Sequence, residues 1–357
     1  MDVCYIPLEL QIEIIKRLPI KTLIRFRLVS KPWKSIIESS DFIADYNIHT
    51  HHYNHQQLLV SLYDTDYAYT FDDDNSFPQH KSCLIPSLLN DKPFTYKMIG
   101  SSQGLFAIYR YHEHNKRDVV IWNPSIRKCV EIPIPNVLQT VVGFGVCNTT
   151  DPIILKIDFI SIPWQVELFK LSTRKWRRLS NTCFLSGKSF HFHQKAVVTE
   201  RFIYWIGFYN TRFVFKKLIL SFDMINEKFA EISLPPSLRD ASLQNLNLSK
   251  LRESLVLLET IHTRKRTEYE VWMMMEEDGV RNMFKKLYTV KAPDASIERV
   301  LGFRKNGQPI IQLQNPFKHE LLVYEPDSEL FNRIGIDGYG YQCFAGSYMG
   351  TLHLLDQ

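Results

Sequence analysis

Histidine and acidic side chains cluster at three places where a metal ion or a proton-transfer site could form. Four histidines fall within residues 49–55, three aspartates within residues 72–74, and His191 and His193 within the run HFH. Zinc and calcium sites need further ligands at suitable spacing. No cysteine or carboxylate accompanies the first histidines, and the aspartates lack the spaced ligands and glycine of a calcium loop. We therefore predict no metal site and no bound cofactor.

Sequence motifs of the common catalytic classes are absent. The chain contains no GxSxG elbow, no HExxH, no phosphate-binding loop and no kinase signature. Its six cysteines form no CxxC pair, a pattern typical of reduced thiols inside the cell. We predict no catalytic residue.

The charge and hydropathy patterns argue against nucleic-acid and membrane partners. The chain of 357 residues has 43 Lys and Arg against 38 Asp and Glu, with no dense basic block to hold the excess. No run approaches the ~20 apolar residues of a membrane span, and no signal peptide precedes Pro7. We expect an intracellular protein of the cytoplasm, the nucleus or both.

A helical apolar pattern occupies the first forty residues and does not return. Two adjacent stripes have helical spacing, Leu8–Ile12–Ile15 and Leu10–Ile14–Leu18, and Pro19 ends this helix. Two more short helices follow, and Ser30 is a suitable N-cap for the last. Three such helices bury too little surface to be stable alone. They either cap a larger domain or dock on another protein.

The order of these residues resembles the F-box motif. The resemblance runs without a gap over residues 3–45 and is carried by Ile6-Pro7-Leu8-Glu9-Leu10, Leu18-Pro19, Arg25-Phe26-Arg27 and Val29-Ser30-Lys31. It implies docking on the Skp-type adaptor of a cullin–RING ubiquitin ligase. The adaptor contacts that it implies are Pro7, Leu8, Ile12, Ile15, Leu18, Pro19 and Trp33. Trp33 fits the core of the F-box equally well.

From residue 58 onward short β-rich runs replace the helical pattern. A hairpin with an aromatic anchor recurs about every fifty residues, the period of kelch-like propeller blades. The anchors are Trp122, Phe169, Phe222, Trp272 and Tyr324. Each hairpin follows another apolar run, and VVGFGV (141–146) and VLGFRK (300–305) suggest a fourth, inner strand.

The two ends of this region predict a closed ring. The hairpin at 57–72 has no preceding run, and GTLHLL (350–355) has no following hairpin, so we expect both in one blade. Closure removes exposed sheet edges. The fold class predicted is α+β and multidomain: a three-helix F-box (1–46), a polar linker (47–57) and an all-β propeller-like domain of about six blades (58–357). A β-sandwich is the alternative.

The β region also resembles the F-box-associated domain of plant F-box proteins. The carriers are GSSQGLFAIY (100–109), IWNPSIRKCVEIPIP (121–135), VVGFGVCNTTDPIILKI (141–157) and LFKLSTRKWRRL (168–179). Val146-Cys147 departs from the aromatic–aspartate pair that often follows Gly-Phe-Gly in the family. Nothing separates this chain from, or assigns it to, the self-incompatibility-locus subset.

Irregular loops between the strands are the candidates for recognition of a target protein. Recurring aromatics suit a structural layer of each blade, whereas binding residues vary and lie on loops. Tyr and Arg are enriched in the loops, as in interface hot spots. The candidates are Tyr109, Arg110, Tyr111, Trp164, Tyr209, Arg212, Arg264 and Arg266.

The resemblance leads to a function hypothesis with two rivals. The chain is expected to be the non-catalytic substrate-recognition subunit of a Skp–cullin–F-box ligase, with an unidentified protein as its substrate. One rival is an adaptor-bound protein that works without cullin. The other is a propeller enzyme or sugar-binding protein, which needs a carboxylate-rich central pocket.

Overall fold

The computed structural model contains four N-terminal helices followed by six four-stranded antiparallel sheets. The structure describes residues 6–355 except 54–56, 63–66, 75–76, 79, 86–94, 112–116, 136–139, 147–150, 160–163, 181–188, 211–214, 264–265, 278–279, 293–295, 314–318 and 339–342.

The four helices are short, and the first three lie where the sequence predicts them. They are α1 (Leu8–Lys16), α2 (Ile20–Val29), α3 (Lys31–Ile37) and α4 (Ser40–Tyr53). Pro7 and Pro19 precede α1 and α2, and the Ser30 hydroxyl accepts the Trp33 N–H at 3.4 Å, which caps α3.

Helix α4 differs from the prediction. Residues 47–53, predicted to form a linker, continue this helix. Residue 46 is predicted as the end of the first domain because the histidine-rich stretch that follows has the composition of a polar linker. Asn47 is buried instead, and its side chain accepts hydrogen bonds from Thr351 and Leu352.

Each sheet is one blade of a propeller, which confirms the predicted fold class and the blade number. Blade 1 contains β24 (Cys343–Tyr348), β1 (Gln57–Leu62), β2 (Tyr67–Asp72) and β3 (His80–Leu84). Blade 2 contains β4 (Thr95–Ser102), β5 (Leu105–Tyr111), β6 (Arg117–Asn123) and β7 (Lys128–Pro133). Blade 3 contains β8 (Thr140–Val146), β9 (Pro152–Asp158), β10 (Gln165–Lys170) and β11 (Lys175–Arg178).

The remaining blades repeat this arrangement. Blade 4 contains β12 (Ser189–Val198), β13 (Phe202–Asn210), β14 (Phe215–Asp223) and β15 (Lys228–Ser233). Blade 5 contains β16 (Leu246–Leu251), β17 (Ser254–His262), β18 (Thr267–Glu277) and β19 (Val280–Val290). Blade 6 contains β20 (Ile297–Phe303), β21 (Pro309–Leu313), β22 (His319–Glu325) and β23 (Leu330–Gly338).

The ring closes through the first and last strands of the propeller. β24 pairs antiparallel with β1 over residues 57–62, and the inner strands β24, β4, β8, β12, β16 and β20 contact one another in a complete circle. Closure between the two ends is therefore as predicted, but the strand is Cys343–Tyr348 and not residues 350–355. Residues 350–355 pack on the helices instead, where Leu352 and Leu354 contact apolar side chains of the F-box.

Apolar layers between adjacent blades form the core. Trp122, Phe169, Phe222 and Tyr324 are buried in the third strands of four blades, and Trp272 is half-buried at the same place in a fifth. The repeated aromatics are thus structural, as their equivalent positions suggest.

Candidate functional site

The F-box helices contact one face of the propeller. Their apolar core includes Leu352 and Leu354 as well as Ile126 from the β6–β7 turn. Neighbouring antiparallel strands run in opposite directions, so turns between second and third strands lie at the other end of each blade. We call that opposite end the distal face.

The C-terminal segment, residues 349–355, joins the two parts. Asn47 Oδ1 accepts hydrogen bonds from Thr351 Oγ1 at 3.2 Å and from the Leu352 N–H at 3.0 Å. From the propeller side, Asn123 Nδ2 donates to the carbonyls of Thr351 and His353 at 3.2 and 2.9 Å. The helices therefore complete their core with residues that follow the last strand of the ring.

Gly104 lets this segment cross the ring closely. A Cβ at this glycine would lie 2.1 Å from the Met349 carbonyl oxygen, and its φ of +78° is one that L side chains rarely adopt. The β4–β5 turn therefore requires glycine where it meets the C-terminal segment.

Helix α1 has a buried and an exposed apolar side. Ile15 is 2% exposed in the F-box core, whereas Leu10 and Ile14 are 55% and 53% exposed. These two are four residues apart and share one face of the helix. Leu8 is also exposed, as are Leu28 and Val29 at the end of α2.

The predicted adaptor residues divide into exposed residues and residues of the F-box core. Pro7, Leu8 and Pro19 are exposed. The core contains Ile15, with Ile12, Leu18 and Trp33 half-buried against it. The Trp33 Nε1 donates to Gln11 Oε1 at 3.3 Å, and its ring lies 4.7 Å from that of Phe26. Ile15 is a correction to the prediction, because a side chain enclosed by its own domain is not available to a partner.

Sequence reasoning omitted Leu10 and Ile14 from the predicted contacts. Both lie on the second of the two helical stripes in the sequence. Periodicity alone identifies two apolar stripes without saying which one faces inward.

The described candidate recognition residues lie near the distal-face ends of second and third strands. Tyr109, Arg110 and Tyr111 lie in β5, Trp164 directly precedes β10, Tyr209 lies in β13 and Arg266 directly precedes β18. The sequence could not assign a shared face, because that assignment depends on the strand order within each blade.

The predicted recognition residues have very different exposures. Tyr111 is 38% exposed, whereas Trp164 is 2% exposed in the layer between blades 3 and 4 and Tyr209 is buried in the same layer. Arg266 pairs with Glu268 at 2.8 Å. Arg212 and Arg264 lie outside the described residues. Trp164 and Tyr209 are enclosed by the layer between blades 3 and 4 and are therefore structural, which corrects the prediction that they contact a target.

Arg110 is buried in an ionic cluster and not exposed on a loop. Its guanidinium donates to both carboxylate oxygens of Asp118, at 3.0 and 2.7 Å, and also to Glu131. The hydrogen bond that Arg110 donates to Asp118 is the largest cause of its raised pKa. Burial opposes this effect, and the charges of both carboxylates add to it. Removal of one partner from such a buried pair is strongly destabilising, so Arg110 stabilises blade 2.

A central cavity of about 410 Å³ runs between the inner strands. Small residues such as Gly100, Ala345 and Gly346 leave this space open. The charged side chains among its described lining residues are all basic: Lys97, Lys250, Arg252, Arg299, Arg304 and Lys305. This lining differs from the carboxylate-rich pocket that the enzyme rival requires.

The described residues contain no cluster of three or more His, Cys, Asp or Glu side chains that could hold a metal ion. Burial raises the pKa of Cys343 to about 11 and also raises that of Cys129, so both keep the weakly nucleophilic thiol form. None of the described helices is long and apolar enough to cross a membrane.

Comparisons with known proteins match both parts of the chain. A family model described as F-box domain matches residues 4–45, and one described as F-box associated beta propeller domain matches residues 52–338. F-box protein CPR1 of Arabidopsis thaliana is 24% identical over 363 aligned residues, covering 93% of this chain and 84% of that protein. Putative F-box protein At1g47790 of the same plant is 24% identical, covering 93% and 85%.

Among solved structures, the chain resembles TolB from Acinetobacter baumannii with a TM-score of 0.44 and 14% identity, covering 87% of this chain and 72% of that one.

Proposed function

The chain belongs to the F-box proteins that carry an F-box associated β-propeller domain, and from that premise we propose that it is the substrate-recognition subunit of a Skp–cullin–F-box ubiquitin ligase. The F-box docks on the Skp-type adaptor, and the distal face of the propeller holds a target protein. The subunit acts without catalysis of its own. It raises the effective concentration of the target beside a ubiquitin-charged enzyme.

The exposed side of α1 carries this proposal. Leu10 and Ile14 lie on one face of the helix, on a different side from the buried Ile15, and each is more than half exposed. Burial of a Leu or Ile side chain stabilises a complex by about 1.5–3 kcal/mol. The docking surface that we propose consists of Pro7, Leu8, Leu10, Ile14 and Pro19.

Two charges on this side are expected to abolish docking without unfolding the F-box. In the variant Leu10→Asp/Ile14→Asp, carboxylates would be buried against the adaptor, and we expect affinity to fall about thirtyfold or more. The measurement is co-purification of the full chain with a plant Skp-type adaptor, with the affinity then determined by calorimetry. Ile225→Asp is the matched control, since Ile225 is 52% exposed on the propeller.

Adaptor binding that survives in the double variant would refute this docking surface. Detection of cullin in the same purified complex distinguishes a ligase subunit from a protein that binds the adaptor outside ubiquitination.

A further inference from the structure

A small pocket opens on the distal face between blades 2 and 3. It has a volume of about 140 Å³ and is lined by residues from β4, β5, β6, β8 and β12. Sites for whole drug-sized ligands usually occupy about 300–1,000 Å³. This side pocket therefore has room for one side chain of a bound protein.

The polar groups that line the side pocket are all donors or hydroxyls. They are Lys97, Arg117, Tyr109, Tyr111 and Thr140, and no described lining residue is a carboxylate. Lys97 is exposed and forms no ion pair within the described part of the chain. The other lining residues are mainly apolar, so an ion inside the pocket is partly removed from water.

Strand alternation directs the described acidic residues of blade 2 away from the side pocket. Tyr109 and Tyr111 point to one face of β5, and Arg110 between them points to the other. On that other face Arg110 holds Asp118 and Glu131. These two carboxylates of blade 2 are thus neutralised on the side that faces blade 1. On blade 3, Asp158 is the cross-strand partner of Thr140 and shares its side of the sheet, although it is not among the described residues that line the pocket.

Tyr109, Tyr111 and Arg117 contact one another. The ring centroids of the two tyrosines lie 4.9 Å apart with an interplanar angle of 69°, and the Arg117 guanidinium lies 5.4 Å from the Tyr111 ring centroid. Arg117 Nη1 also donates to Tyr109 Oη at 3.4 Å. Because that oxygen accepts from Arg117, the Tyr109 hydroxyl proton can point to a ligand.

Two further groups are prepared to contact a ligand. Burial raises the pKa of Tyr111, with further effects from Tyr109 and an opposing one from Arg117, so its hydroxyl keeps its proton and can donate. Thr140 Oγ1 is buried with no hydrogen-bond partner among the described residues. A buried hydroxyl without a partner costs free energy, and a ligand in the pocket would relieve that cost.

We propose that the side pocket binds one anionic side chain of the target protein, a carboxylate or a phosphate, through Arg117, Lys97 and the tyrosine hydroxyls. Charge-assisted hydrogen bonds from arginine suit either anion. The proposal rests on the proposed function in that it assigns the anion to a target protein. The surface of the target protein that the propeller recognises would then include an acidic or phosphorylated residue.

Chemical protection of Arg117 tests the side pocket without knowledge of the target. The full chain is treated with an arginine-specific dicarbonyl reagent in the presence of capped peptides Gly-Gly-Xaa-Gly-Gly. Xaa is Glu, phosphoserine or Gln, and sodium chloride keeps the ionic strength equal. Mass spectrometry gives the modification rates of Arg117 and of Arg333, an exposed arginine on blade 6.

The Glu or the phosphoserine peptide should slow modification of Arg117 about threefold at about 10 mM, if it binds with a Kd of a few mM. The Gln peptide should have no effect, and Arg333 should react at the same rate throughout. Whichever of these two peptides protects Arg117 more strongly identifies the preferred anion. In Lys97→Gln the protection should weaken, because one cation of the pocket is lost.

Equal rates with the Glu, phosphoserine and Gln peptides would overturn the proposal, as would protection of Arg333 to the same extent. Adaptor binding is measured on the same preparations. Loss of protection with normal adaptor binding refutes the pocket alone, whereas absence of adaptor binding refutes the proposed function independently of the pocket.

Discussion

At the residue scale, the turn between the third and fourth strands depends on a side-chain acceptor at its first position. In blade 4, Asp223 Oδ1 accepts the N–H groups of Ile225 and Asn226 at 2.9 and 3.2 Å. In blade 2, Asn123 Oδ1 accepts the Ser125 N–H at 2.9 Å. Such side chains replace a backbone acceptor and fix the turn.

The pKa of Asp223 makes this turn sensitive to acid. Burial acts to raise this pKa, but hydrogen bonds from Arg201, Asn226 and Ile225 outweigh it and lower the pKa to about 2. The unfolded-state pKa is about 3.9. The stabilisation is therefore complete above that value and is lost as the pH falls towards 2.

We expect the free energy of unfolding of the protein to exceed that of Asp223→Asn at pH 7, and the difference to shrink between pH 4 and pH 2. Urea unfolding of both proteins at pH 7, 4 and 3 measures it. A difference that stays constant over this range would show that the carboxylate contributes nothing through its charge.

The same turn shows what residue patterns can and cannot reveal. Arg127, Arg174, Glu227 and Glu329 occupy equivalent positions in four blades and all have φ between +51° and +56°. Glycine favours this conformation, and because these positions carry Arg or Glu, the sequence lacks the glycine that usually indicates such a turn. The repeat was still recognisable because the flanking strands carry the aromatic anchors.

At the element scale, the C-terminal segment is the unexpected part of the fold. Its sequence GTLHLL has the apolar composition of a strand, and the sequence alone predicts that it closes the ring. Leu352 is fully buried among the F-box helices instead. The three predicted helices were too small to enclose a core, and this segment together with α4 supplies the missing apolar surface.

Leu352→Asp should therefore loosen the F-box and leave the propeller closed, since β24 ends before it at Tyr348. A carboxylate buried among the apolar side chains that surround Leu352 is strongly destabilising. Limited trypsin digestion should cut after Lys16 and Lys21 faster than in the unsubstituted protein, while the propeller fragment persists. The fragments are identified by mass spectrometry.

Leu330→Asp is the matched control, because Leu330 is 62% exposed on β23. Equal cleavage rates in the F-box of both variants would contradict the role of the C-terminal segment.

At the scale of the whole molecule, the architecture predicted from the sequence agrees with the structure. The predicted locations of some side chains, at the surface or in the core, differ from it. The fifty-residue period predicts the six blades because each blade repeats the same layer of buried side chains. The direction that each helix stripe faces, and the end of the blade at which each loop lies, depend on packing between elements that are distant in sequence. For that reason Ile15 and Trp164 were predicted at surfaces and lie in cores.

The molecule presents two separate surfaces. Leu10 and Ile14 lie on the helices that contact one face of the propeller, and the side pocket opens on the distal face. The arrangement suits a receptor that holds an adaptor and a target at the same time without competition between them.

Hydrogen–deuterium exchange of the full chain, alone and bound to a Skp-type adaptor, tests this division most directly. We predict slower exchange on binding at residues 8–14 and unchanged exchange at residues 109–111, 117–119 and 140–142. Slower exchange at the distal face, with the F-box helices unaffected, would contradict the assignment of the F-box as the docking surface.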